Sequence, residues 1–151
     1  MNGKNIFILI VILIAVSTTY VVSTGNVVSD KIPMTVYKSA NCGCCAKWIP
    51  YIQNKGFLTE TIMTEDMQAI KEEYNIPRSM ESCHTAIVGD YFIEGHIPIE
   101  AINKLLEEQP DIDGISLPNM PAGSPGMPGI KSGQWIIYAI KDGKTSTFMK
   151  I

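Results

Sequence analysis

The sequence predicts an α/β domain, and three observations carry that prediction. Short β-branched and aromatic runs alternate with amphipathic segments, glycine or proline marks most transitions, and the chain closes on two strand-like runs around Asp142 and Gly143. The chain has 151 residues, 46% of them hydrophobic, which is material for one compact core and too little for a second.

Met34 to Lys38 is the first expected strand, since Val36 and Tyr37 favour sheet and Pro33 marks the entry. A helix should follow the cysteine-rich segment, because Ala46, Trp48, Ile49 and Ile52 recur at helical spacing; Pro50 should kink it and Gly56 close it. Phe57 to Met63 reads as a second strand. Thr64 is then placed to cap a helix with Glu65 and Asp66 in its first turn and Met67, Ile70 and Tyr74 on one face, and Pro77 bars its extension. Thr85 to Val88 and Tyr91 to Glu94 flank Gly89 and Asp90 as a hairpin. Pro98 opens a helix with a buried stripe of Ile99, Ile102, Leu105 and Leu106, ending before Pro110. Residues 114–133, rich in proline, glycine and methionine, lack periodicity and are expected to form an ordered loop. Trp135 to Ile140 and Thr145 to Met149 form the closing hairpin, and no internal repeat is found.

Strand, helix, strand, helix, hairpin, helix is the order of a thioredoxin-like domain, here with a C-terminal loop and β-hairpin extension. In that architecture the loop entering the third strand returns beside the N-terminus of the first helix. Cys83, far along the chain, would therefore meet the cluster at Cys42, Cys44 and Cys45.

Residues 1–29 differ from the rest. Lys4 is the only charge before Asp30, and Ile6 to Val16 is an unbroken apolar run, with small residues at Ser23, Thr24 and Gly25. These features predict a cleaved secretory signal; Val21 and Val22 extend the run to the lower limit of a membrane span, about 17 residues, so an uncleaved anchor is the rival reading. Residues 30–151 would then lie outside the cytoplasm, in the periplasm or its equivalent, touching membrane only through an uncleaved leader. Lysine and arginine total 12 against 15 acidic residues, and Arg78 is the sole arginine, which argues against nucleic acid as a partner.

Four cysteines in an exported chain ordinarily suggest two structural disulfides, but three of them crowd into Cys42, Cys44 and Cys45 and cannot staple distant segments. A cysteine at a helix N-terminus is instead pushed towards the thiolate, which is both ligand and nucleophile. Cys42 and Cys45 alone make a CxxC pair suited to thiol–disulfide exchange. Against that reading stand Cys44, a third thiol inside the pair, and Cys83, at a loop where such oxidoreductases generally place a cis-proline. Zinc would accept four cysteines, but adjacent Cys44 and Cys45 strain to share one ion. Crowded thiolates are better used as bridges between several monovalent ions, and soft sulfur selects copper(I).

Asn41 to Phe57 (NCGCCAKWIPYIQNKGF), Ser82 to Thr85 (SCHT), Glu94 to Pro98 (EGHIP) and Leu117 to Met127 (LPNMPAGSPGM) together resemble the CopG-like copper-resistance family, long described as a domain of unknown function. The resemblance implies an extracytoplasmic thioredoxin-like protein that binds copper within resistance systems, with Cys42, Cys44, Cys45 and Cys83 as its metal ligands. His84, Met120 and Met127 are weaker candidates for ligands or for groups supporting them. His96 reads first as a residue of the turn before Pro98, although its GHIP motif places it near the site. The expected function is copper(I) holding or transfer, with more than one ion and with other copper-resistance or efflux proteins as partners, rather than turnover of a small molecule. An exported thiol oxidoreductase using Cys42 and Cys45 is the alternative, and electron transfer a third.

Overall fold

The computed structural model describes residues 31–151; the leader expected in residues 1–29 lies outside the described residues. Strand β1 (Ile32–Lys38) leads through the cysteine-bearing turn into helix α1 (Cys45–Gln53). Strand β2 (Phe57–Met63), helix α2 (Met67–Glu73) and a 3-10 turn (Arg78–Met80) precede the hairpin of β3 (His84–Val88) and β4 (Tyr91–Glu94). Helix α3 (Ile99–Glu108), strand β5 (Gly114–Ser116) and the hairpin of β6 (Ile136–Lys141) and β7 (Lys144–Lys150) complete the order. Among the described residues, no helix is long and apolar enough to cross a membrane.

All the strands join one seven-stranded sheet in the order β2-β1-β3-β4-β5-β6-β7, giving a mixed α/β fold. Strands β1 and β2 are parallel, as are β4 and β5, and the other neighbours are antiparallel. Side chains alternate across the sheet. Val36, Ala86, Val88, Ile93 and Ile115 face a core completed by Trp48 and Ile52 of α1 and by Ile99, Ile102 and Leu105 of α3. Phe92 and Ile140 face a smaller cluster with Ile76. Trp48 is fully buried and its indole N–H donates to the Ile97 carbonyl at 3.1 Å, which ties α1 to the segment before α3.

The structure differs from the sequence reading at two elements. Residues 114–116, expected to begin a loop, form β5 between β4 and β6, because the exposed polar groups of two flanking strands offer a three-residue run the pairing that its own sequence does not advertise. Asp66, not Thr64, caps α2, its carboxylate accepting from the Ala69 amide at 2.9 Å, while Thr64 accepts from the Asp66 amide one step earlier.

The register decides where the chemistry gathers. Lys38 pairs with His84, Thr85 with Glu94, and Glu94 with Ser116. The segments after β1, before β3, after β4 and after β5 therefore all leave the sheet at one end. Trp48→Ala should lower unfolding stability by about 3–5 kcal/mol, and Trp48→Phe, which keeps most of the area but loses the indole donor, by a smaller amount; urea denaturation measures both.

Candidate metal centre

The turn after β1 is built by backbone hydrogen bonds that wind towards the helix. The Cys42 amide donates to the Ser39 carbonyl at 3.2 Å, and the Cys44 carbonyl accepts from Lys47 and Trp48 at 3.0 and 3.1 Å. Buried Lys38 supports the same turn, donating to the Ser39 carbonyl at 2.8 Å. Cys42 and Cys45 are joined as a disulfide, with Cα atoms 5.4 Å apart, and Cys44 and Cys83 are free thiols. The Cys45 amide, at the start of α1, points at Cys42 Sγ at 3.3 Å.

The structure brings Cys83 to this cluster. Its sulfur lies 3.8 Å from Cys44 Sγ, and Cys44 Sγ lies 3.6 Å from Cys42 Sγ. All four sulfurs fall within 4.8 Å of one another. A metal about 2.3 Å from each of two thiolates in a tetrahedral arrangement requires those sulfurs to be about 3.8 Å apart, so these separations suit a shared ion once the disulfide is reduced.

His84 also reaches Cys83, with Nδ1 at 3.4 Å from Sγ, and its ring is wholly buried, 4.5 Å from the Trp48 ring centroid. Met120 is exposed, with φ of 44°, and Met127 is half-buried, its amide donating to the Ser124 carbonyl at 2.8 Å. Their loop reaches the cysteine turn: a Cβ on Gly126 would stand 2.8 Å from the Trp48 amide nitrogen and 3.0 Å from the Cys44 carbonyl oxygen. Gly126 has φ of +83°, so both its backbone conformation and this close seating on α1 call for glycine.

Glu94, Lys71 and Gly95 went unrecognised in the sequence, where His96 reads first as a turn residue and second as a neighbour of the site. His96 is buried with Nε2 3.0 Å from Cys83 Sγ, close to the cluster rather than merely shaping a turn. Glu94 is fully buried and accepts from the Ser82 amide at 2.5 Å, from Thr85 Oγ1 at 2.6 Å and from Lys71 Nζ. Lys71, itself buried on α2, also donates to Thr85 Oγ1 at 3.3 Å. Gly95, at φ of +82°, lets Ser82 approach where any Cβ would meet its hydroxyl at 2.5 Å. The EGHIP motif carried a signal for all of this, but a buried partner for its glutamate was not readable from a lysine on a polar helix face.

The electrostatics follow from burial. Desolvation pushes the Cys83 thiol up to about 12, and the neighbouring Cys44 sulfur adds to the rise. Burial holds His84 well below the usual imidazole range, with His96 and Lys71 adding to the effect. It lowers His96 as well, partly offset by the Pro125 carbonyl. Burial raises the Glu94 carboxyl, while Lys71, Thr85 and the Ser82 amide pull it back.

The sheet and the convergent thiols define a small α/β protein with a cysteine-rich candidate metal centre. A family model described as "Protein of unknown function, DUF411" matches residues 80–127. Two solved structures named copper resistance protein CopG, in forms 1 and 2, match at 36% identity with a TM-score of 0.74, covering 80% of this chain and 98% of each of those chains. No curated protein sequence matches significantly. The chain belongs to the CopG family of copper resistance proteins.

Glu94→Ala strands the Lys71 ammonium in the interior and should cost about 3–5 kcal/mol in urea unfolding, with a Lys71→Met, Glu94→Leu double variant recovering much of the loss. The buried histidines predict a pH effect. The folded state binds their protons less tightly than the unfolded chain, whose imidazoles titrate near 6.5, so stability is complete above that value and falls as pH drops below it. Each histidine contributes at most about 1.4 kcal/mol per pH unit. Thermal unfolding of metal-free protein between about pH 7.5 and 5 should show the decline, and His84→Gln should flatten it.

Proposed function

We propose that this protein holds copper(I) in a multinuclear site of Cys42, Cys44, Cys45 and Cys83 thiolates outside the cytoplasm, and that it serves copper resistance by sequestration or transfer. The meeting of Cys44 and Cys83 at 3.8 Å, from segments 39 residues apart, carries the reading: a free thiol from a distant part of the chain is brought onto the CxxC pair and the third thiol within it. Copper resistance is what the family's solved members are named for. Crowded thiolates repel one another, and several soft monovalent ions offset that repulsion while leaving each sulfur shared. His84 supports the cluster from beside Cys83; Met120 and Met127 are offered as weaker thioether donors from the covering loop. The order of the first four strands, β2-β1-β3-β4 with β1 and β2 parallel, supports a thioredoxin-like domain extended by β5, β6 and β7. The apolar leader at Ile6 to Val16 supports export, by cleavage or as an anchor, and resistance or efflux components are the partners that such a location would offer.

The Cys42–Cys45 disulfide favours a second reading, a thiol–disulfide oxidoreductase. The two readings converge on one requirement: reducing the disulfide takes two electrons and two protons from a dithiol donor and yields the two thiols that copper then deprotonates.

Anaerobic titration separates them. Reduced protein should bind more than one copper(I) per chain, and Cys44→Ser or Cys83→Ser should lower that stoichiometry, while oxidised protein should bind markedly less. Disulfide turnover that survives both substitutions, together with one copper or none bound, would select the oxidoreductase instead.

A further inference from the structure

Strands β2 and β7 are the two edges of the sheet, and they are finished differently. Strand β7 begins and ends on lysine, at Lys144 and Lys150, and its pairing with β6 slips at Ile137 and Tyr138, features that keep an edge from adding another strand. Strand β2 has neither. Its seven residues, Phe57–Met63, hold no lysine, proline or bulge and pair with β1 without a break. Three of its side chains are large, apolar and open: Leu58 is 59% exposed, Ile62 37% and Met63 67%. Helix α2 lies over β1 and β3, which leaves Leu58 and Ile62, on that side of β2, uncovered.

The hydrogen bonds at the two ends of the β1–β2 ladder fix which backbone groups look outward. The Ile32 amide donates to the Gly56 carbonyl at 2.9 Å, and the Thr64 amide to the Lys38 carbonyl at 3.0 Å. In a parallel pair alternate residues turn both N–H and C=O to the neighbour, so Gly56, Leu58, Glu60, Ile62 and Thr64 face β1. Phe57, Thr59, Thr61 and Met63 then present theirs at the free edge, where their amides have no hydrogen-bond partner among the described residues. What completes such a row of donors and acceptors is another extended strand.

We propose that β2 pairs antiparallel with β2 of a second copy of this chain, across a two-fold axis through Thr61, joining the two seven-stranded sheets into one. Such an axis stands perpendicular to the sheet, and it can pass through Thr59, Glu60 or Thr61 while most of the strand stays paired. Centring on Glu60 sets two carboxylates face to face. Centring on Thr59 crowds two Gln53 side chains together, each donating to its own Thr59 hydroxyl at 2.7 Å. Centring on Thr61 meets neither obstacle. It sets Thr61 opposite its copy, a favourable cross-strand pair, with Thr59 opposite Met63 and Glu60 opposite Ile62 of the second copy. Each opposed pair of outward residues exchanges two hydrogen bonds, and Met63, the most exposed of the three apolar side chains, gains cover. This seam is self-complementary and closes at two chains, whereas pairing β2 with β7 would run on into a filament. The two cysteine turns point to opposite ends of the joined sheet, so neither blocks the other. No cysteine takes part, and the inference stands apart from the copper reading.

Sedimentation equilibrium of the full chain under reducing conditions, in a density-matched detergent that keeps the leader dispersed, tests it. The mass should rise reversibly from one chain towards two between about 1 and 500 μM. Thr61→Pro removes an amide that β1 does not use, so it should leave urea unfolding close to that of the parent and raise the dissociation constant by about 30-fold or more. Should proline disturb the strand, Thr61→Lys, which sets two ammonium groups across the axis, should raise it about fivefold in a fully folded chain. Hydrogen exchange at the Thr59, Thr61 and Met63 amides should slow as the concentration rises, and the β7 amides should not respond. A single-chain mass at every concentration, an unaltered dimer in both variants, or growth beyond two chains would each overturn the proposal. So would protection of these amides in a monomer, as the chain's own leading segment laid along β2 would give.

Discussion

The buried carboxylate of Glu94 is the constraint on which the metal end of this molecule depends. It stands directly across from Thr85 in the hairpin register and takes hydrogen bonds from that hydroxyl, from Lys71 on a different element and from the Ser82 amide. A charge removed from water persists only where donors surround it, and each donor here fixes a piece of chain. The Ser82 contact matters most for function, since Cys83 is the next residue. The position of a soft sulfur is thus held by hard, charged chemistry on the opposite side of β3 from Trp48.

That separation of roles runs through the sheet. On β3, His84 and Ala86 face the layer of α1 and α3, while Thr85 and Ile87 face the layer beyond α2. Alternation lets one strand deliver a site residue to one side and its anchor to the other without either competing for space. It also explains why Lys71, remote from any sulfur contact, is part of the apparatus.

Much of the fold was legible because turn chemistry is local. Gly89 with Asp90, Asp142 with Gly143, and Pro98 before α3 each fix a boundary by a backbone requirement that the residue itself announces. The convergence of Cys83 on the cysteine turn was legible from element order. Strand β5 was not, since a run as short as Gly114–Ser116 acquires strand structure from its neighbours. His96 was legible only as a neighbour of the site: before Pro98 it has the appearance of a turn residue, and the Pro125 carbonyl, brought back by a loop without periodicity, orients its ring. Nor does a sequence say whether Cys42 and Cys45 stand as thiols or as a bond.

The span of that bond has a bearing on how the protein endures its own chemistry. A cross-link between residues only three apart restrains the denatured chain by roughly 2 kcal/mol, well under half of what a bridge across a hundred residues would contribute. Opening it therefore withdraws only part of an ordinary domain's stability of about 5–15 kcal/mol and leaves the larger part to the sheet and its core. The sulfur pair can open and close while the scaffold stays folded, much as a clasp works without disturbing the garment it fastens.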